Sequence, residues 1–137
     1  MSQSQLLFAL SLVASLLVGL FVRSTSILAA HVAVTTELVE DRSEFERGAK
    51  VRAVATVEEW NQDQPLELSF VWIDATGRET FRKREQVHAD EVPSRVKSSI
   101  RLGERRGPGD YELRVFAFRR LMSRVPFRVS ETWLEEE

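Results

Sequence analysis

Two histidines, His31 and His88, are the first residues to test for chemistry. Asp90 and Glu91 follow His88, a trio able to hold a cation weakly, but no second histidine and no cysteine stands near either one. Metal sites need several such donors converging at close spacing, so neither histidine marks one. Glu58 and Glu59 adjoin Trp60. Neighbouring carboxylates on one loop make a poor opposed acid and base. Gly103, Gly107 and Gly109 surround Pro108. With no helix expected after them, they spell a turn rather than a phosphate cradle. No nucleophile motif or dinucleotide fingerprint occurs. The reading is of a protein that is not an enzyme, with no catalytic residue, no metal, no cofactor and no small-molecule substrate.

Charge is patterned more tellingly. Lys and Arg number 19 against 21 Asp and Glu, a net charge of −2 that argues against nucleic-acid binding. Residues 31–70 carry four cations and nine anions, residues 71–130 carry fourteen and eight, and the last seven residues hold four Glu. The basic clusters are Arg82-Lys83-Arg84, Arg105-Arg106 and Arg119-Arg120. Such residues discourage sheet-to-sheet association at strand edges. On a tethered domain they also attract anionic headgroups or an acidic partner, and Arg82, Lys83, Arg84, Arg119 and Arg120 are the candidates for that contact.

A tether is what the N-terminus offers. Residues 6–22 (LLFALSLVASLLVGLFV) are unbroken and uncharged. As a helix they would extend about 25 Å, enough with polar flanks to cross a bilayer core of ~30 Å. A secretory signal would need a basic n-region and a shorter apolar stretch. Residues 1–5 have no Lys or Arg, although Ser24-Thr25-Ser26 resembles a cleavage site and would leave a mature start near Ile27. The expectation is a retained, single-pass transmembrane helix over residues 1–26. Ser11, Ser15 and Gly19 recur every fourth residue on one helix face, a stripe suited to close packing against another membrane helix. Arg23 alone favours a cytoplasmic domain.

Beyond residue 30 the hydrophobic period is two. Strands are expected at residues 31–38, 50–57, 66–73, 79–87, 95–102 and 110–118, and around Val125, Phe127 and Val129. Residues 44–48 read as a turn with Gly48 free to take positive φ, and Asp74-Ala75-Thr76-Gly77 reads as a hairpin. About seven short strands in roughly a hundred residues imply an all-β antiparallel sandwich over residues 27–130, followed by an acidic tail over 131–137. The absence of cysteine excludes a disulfide framework.

Two stretches sharpen the class. Gly109-Asp110-Tyr111-Glu112-Leu113-Arg114-Val115 resembles the sixth strand of immunoglobulin-like domains, where a tyrosine hydroxyl bonds back to upstream backbone. Trp72 falls in the third strand, where those domains keep a core tryptophan, and Ala53 and Ala55 leave room for it. The resemblance is to cysteine-free immunoglobulin-like modules of bacterial envelope proteins. It implies a periplasmic or extracellular domain.

If Tyr111, Leu113 and Val115 point inward, Phe116 and Phe118 share the outer face. In an immunoglobulin-like sandwich Val71 and Ile73 join them there, with Leu121 and Met122 in the following hairpin loop. These six would form an exposed apolar patch on the face through which immunoglobulin-like variable domains pair. The expected role is an accessory or scaffold subunit of a multi-subunit membrane complex, of respiratory or photosynthetic type. Its partners would be other membrane-protein subunits and the lipid bilayer. The alternatives are a membrane-tethered envelope module that captures a ligand or neighbouring surface, and a secreted domain released by signal cleavage.

Overall fold

The computed structural model describes residues 31–135. The expected helix over residues 1–26, with Ser11, Ser15 and Gly19, lies outside them. Among the described residues no helix is long and apolar enough to cross a membrane. The described chain is all-β: β1 (Ala33–Leu38), β2 (Glu44–Arg47), β3 (Lys50–Glu59), β4 (Leu66–Ile73), β5 (Glu79–Val87), β6 (Ser94–Arg101), β7 (Gly109–Ala117) and β8 (Arg120–Trp133), with one 3-10 turn at Ala89–Glu91. They form two sheets, one of three strands in the order β1-β3-β6 and one of five in the order β2-β8-β7-β4-β5. All pairings are antiparallel except β2 with β8.

The period-two pattern explains the core directly. Val51, Ala53, Ala55 and Val57 turn inward from β3, and Leu66, Leu68, Phe70 and Trp72 from β4. Tyr111, Leu113, Val115 and Ala117 complete that face from β7, with Phe127 and Val129 from β8. Each fully buried Val, Leu or Phe among them adds roughly 1.5–3 kcal/mol. Phe127 is the hub of an aromatic cluster, with ring centroids 5.8 Å from Phe45, 5.9 Å from Trp72 and 5.4 Å from Tyr111.

A buried polar bond joins the sheets through the core. The Trp72 indole N–H donates to Ser98 Oγ at 2.9 Å. Both residues are buried, and Ser98 is the register partner of Ala53. The small sheet thus presents two of its smallest side chains where the indole arrives.

Several boundaries differ from the sequence reading. Residues 44–47, expected as part of a turn, form β2, because Phe45 is fully buried and pins the segment beside β8. Gly48, at φ +89°, makes the turn instead. β7 ends at Ala117, one residue early, and Phe118 and Arg119 alone connect it to β8. Leu121 and Met122 therefore stand in β8 rather than in a loop. β8 also continues through Glu131 to Trp133, so the sandwich takes in the start of the expected acidic tail.

The hairpin at 74–77 forms as expected, with Gly77 at φ +85°. Asp74 Oδ1 accepts from the Thr76 N–H (2.9 Å), the Thr76 hydroxyl (2.6 Å) and the Arg78 N–H (3.2 Å). These bonds favour the ionised carboxylate, the Thr76 hydroxyl most of all, and hold Asp74 below the usual carboxylate range. In the connection from β6 to β7, close to this turn, the Tyr111 hydroxyl donates to the Gly107 carbonyl at 2.8 Å. Burial, aided by the nearby Asp74 charge, pushes the Tyr111 phenol up and keeps it a donor.

Candidate interaction surfaces

The outer face of the five-stranded sheet is a lattice of guanidinium and carboxylate pairs. Arg82 grips Glu79 with two bonds, Nε to Oε2 at 3.0 Å and Nη2 to Oε1 at 2.9 Å. Each holds the other charged: Glu79 is pulled down from the usual carboxylate range and Arg82 pushed up. Arg114 pairs with Glu112 at 2.9 Å, Arg124 reaches the same carboxylate at 3.9 Å, and Arg128 meets Asp110 at 2.9 Å. Arg84 approaches Glu67 at 3.7 Å. Exposed pairs of this kind contribute about 0–1 kcal/mol each to stability. They leave the face charged and laterally ordered.

This lattice changes the expected apolar patch. Val71 is only 4% exposed. Its register partners on either side are Arg82 and Arg114, whose aliphatic stems can roof it. Ile73, Phe116, Phe118 and Met122 are half-buried, and only Leu121, at 36%, counts as exposed. Phe118 leaves the strand altogether. Its φ of +57° is a left-handed conformation rare for a bulky residue, and its ring lies 5.8 Å from that of Trp60. The Trp60 indole N–H in turn donates to the Gln64 carbonyl at 2.9 Å, so Phe118 braces the connection between β3 and β4. What remains on the face is a narrow apolar centre in an arginine-rich frame, not an open greasy patch.

The five basic candidates divide between two faces. Arg82, Arg84 and Arg119 border one recess of about 300 Å³, together with Glu67, Ser69 and Phe118. Lys83 sits between its neighbours on β5 and so points the other way, as strand alternation requires. Its Nζ donates to the Lys97 carbonyl on β6 at 2.6 Å. Arg120 begins β8 and is exposed. Arg106, from the third basic cluster, is a clamp rather than a free charge. It donates to Thr80 Oγ1 (2.9 Å), the Thr80 carbonyl (3.0 Å) and the Arg101 carbonyl (3.0 Å).

A second recess, of about 500 Å³, lies between β5 and β6 where the sheets stand side by side. Sequence reasoning had no access to it, because it arises from unequal strand numbers in the two sheets. Its one legible signal was Phe81, a lone aromatic in an otherwise charged strand, which keeps 41% exposure.

His88 precedes the 3-10 turn, and its backbone N–H donates to Glu91 Oε1 at 2.8 Å. Glu58 and Glu59 are consecutive in β3 and so face opposite sides. Among the described residues no group of three His, Cys, Asp or Glu is placed to hold a metal ion.

No protein-family model and no curated protein matches the chain in sequence. Solved structures do match in shape. The sensor domain of the anti-sigma factor RsgI4 from Pseudobacteroides cellulosolvens aligns with a TM-score of 0.54 at 14% identity, over 75% of this chain and 96% of that one. A DNA-bound alkylpurine DNA glycosylase, AlkC, from Pseudomonas fluorescens aligns with a TM-score of 0.52 at 13% identity, over 76% of this chain. The match takes in only 32% of the glycosylase. At such identities the likeness extends to the fold: the chain carries an all-β, two-sheet sandwich.

Proposed function

We propose that the chain is a non-catalytic interaction module, an immunoglobulin-like sandwich held at a membrane by its apolar N-terminal helix. It docks as an accessory subunit against other membrane proteins, with the domain on the periplasmic or outer side. The immunoglobulin-like assignment is supported by the strand order, by the Tyr111 bond back to Gly107, and by Trp72 at the centre of the core. The observation that carries the docking role is the outer face of the five-stranded sheet. There Ile73, Phe116, Leu121 and Met122 stand among Arg82, Arg84, Arg114 and Arg124. Aromatic residues, Met and Arg are the types enriched where proteins meet, and paired guanidinium groups give such a contact direction. The complementary surface is acidic with an apolar centre.

Purification of the intact chain in mild detergent tests this reading. Stoichiometric co-migration with a larger assembly, lost on Phe116→Ser with Arg114→Glu while the β-sheet circular dichroism stays unchanged, is the expected result. A lone monomer whose behaviour ignores those substitutions removes it. In that case the second reading, a tethered module capturing a ligand or neighbouring surface, takes its place, and the recess between β5 and β6 is what favours it.

A further inference from the structure

β6 is the last strand of the three-stranded sheet, and among the described residues no strand pairs with its second edge. Backbone groups alternate sides along a strand. The carbonyls of Lys97 and Arg101 accept bonds from Lys83 Nζ and Arg106 Nη1, so they face that open edge. Ser99, midway between them, faces it too, and among the described residues no bond reaches its main chain from that side. The edge borders the 500 Å³ recess lined by Val39, Lys50, Arg52, Phe81, Lys83 and Lys97. Phe81 and Val39 keep 41% and 51% exposure there.

The recess is lined by four cations and no carboxylate. Arg52 is committed to Glu40, which it holds ionised below the usual range. Lys50 and Lys97 have no carboxylate within ion-pair distance among the described residues. The open edge of β6 thus lies beside lysines without carboxylate partners and the exposed Phe81 ring. Edges are ordinarily blunted against indiscriminate pairing. Here the blunting is done by two side chains, Lys83 and Arg106, each capping one carbonyl and leaving Ser99 open between them.

We infer that this edge receives an extended acidic segment of a partner polypeptide as an added strand. Its main chain bonds to Ser99 and displaces Lys83 from the Lys97 carbonyl. Side chains of an added strand alternate. One set lies on Phe81 and is apolar. The other carries carboxylates to Lys97 and Lys50, which share the outer face of the three-stranded sheet. This role is separate from the arginine-framed face, which lies on the opposite side of β5.

The test uses the full chain in zwitterionic nanodiscs, with a labelled peptide of about eight alternating Val and Glu residues and a matched Val/Lys peptide. Fluorescence polarisation gives affinity, and amide hydrogen exchange reports on Ser99. The Glu peptide should bind about ten-fold or more tightly than the Lys peptide, weaken with salt, and slow exchange at Ser99. Ser99→Pro removes the edge N–H in a place where proline is tolerated, and should cost about ten-fold in affinity. Equal affinity for the two peptides, or tight Glu-peptide binding that leaves Ser99 exchange untouched, overturns strand addition. If Ser99→Pro does not fold, the Lys50→Glu/Lys97→Glu variant decides: affinity retained there also overturns it.

Discussion

Ser98→Ala isolates the buried side-chain bond between the two sheets. In the parent, the fully buried indole of Trp72 gives its N–H to Ser98 Oγ at 2.9 Å. Alanine keeps the backbone and nearly the volume but removes the acceptor. An indole N–H sealed from water without a partner costs about 1–3 kcal/mol, more than the bond's net contribution of about 1 kcal/mol. For a domain of roughly a hundred residues, a loss of about 2 kcal/mol lowers the melting temperature by roughly 8–16 °C. Equilibrium urea unfolding gives the free energy, and Trp60 serves as a fluorescent reporter away from the perturbed site. Trp72→Phe closes a double-mutant cycle. It leaves the Ser98 hydroxyl without its donor, so the double variant should lose about 1 kcal/mol less than the sum of the singles. A Ser98→Ala variant within about 0.5 kcal/mol of the parent, or an additive cycle, would refute the claim that this bond couples the sheets.

Three further outcomes are expected. Gly109→Ala should destabilise by about 1–3 kcal/mol, since φ is +133° and the new methyl would sit 2.6 Å from Ala75 Cβ. Combining it with Ala75→Gly should recover part of the loss in the same urea titration. Asp74 is held below its unfolded value, so its contribution is present above pH ~4 and fades as pH falls through the lower folded value. The stability gap between the parent and Asp74→Asn should therefore be largest near neutrality and shrink in acid. Tyr111→Phe loses the bond to Gly107, about 1 kcal/mol at pH 7. Because the Tyr111 phenol is raised in the fold, its contribution is present below pH ~10 and lost as pH climbs through the higher folded value. The gap to the Phe variant, followed by circular dichroism, should close in alkali.

The legible parts of the fold are those written in local alternation. Val51 to Val57, Leu66 to Trp72 and Tyr111 to Val115 announce their inward faces, and the turn at Asp74 to Gly77 announces its hairpin. β2 stayed hidden because Phe45 is the lone apolar residue of a four-residue strand, held by a partner far along the chain. The two-residue turn at Phe118 carries no Gly, Asn or Pro, so nothing local marks it. Alternation also told which way Val71 points but not that arginine stems flank it, which depends on register with β5 and β7. Adjacency in sequence puts Lys83 with Arg82 and Arg84, whereas a strand separates neighbours onto opposite faces. The recess beside β6 depends on how many strands each sheet owns, a fact of global pairing.

The parallel pairing of β2 with β8 joins segments far apart in the chain. Glu44 is matched to Arg128 and Phe45 to Val129, so an early segment waits for nearly the last one before it can settle. During synthesis the nascent domain must hold β2 and β7 without β8, the neighbour of both, until that strand clears the ribosome. Long-range closures of this kind slow folding and lengthen exposure of unpaired edges. A ribosome stalled before β8 would therefore display a collapsed but unsealed chain, and chaperone capture should peak there.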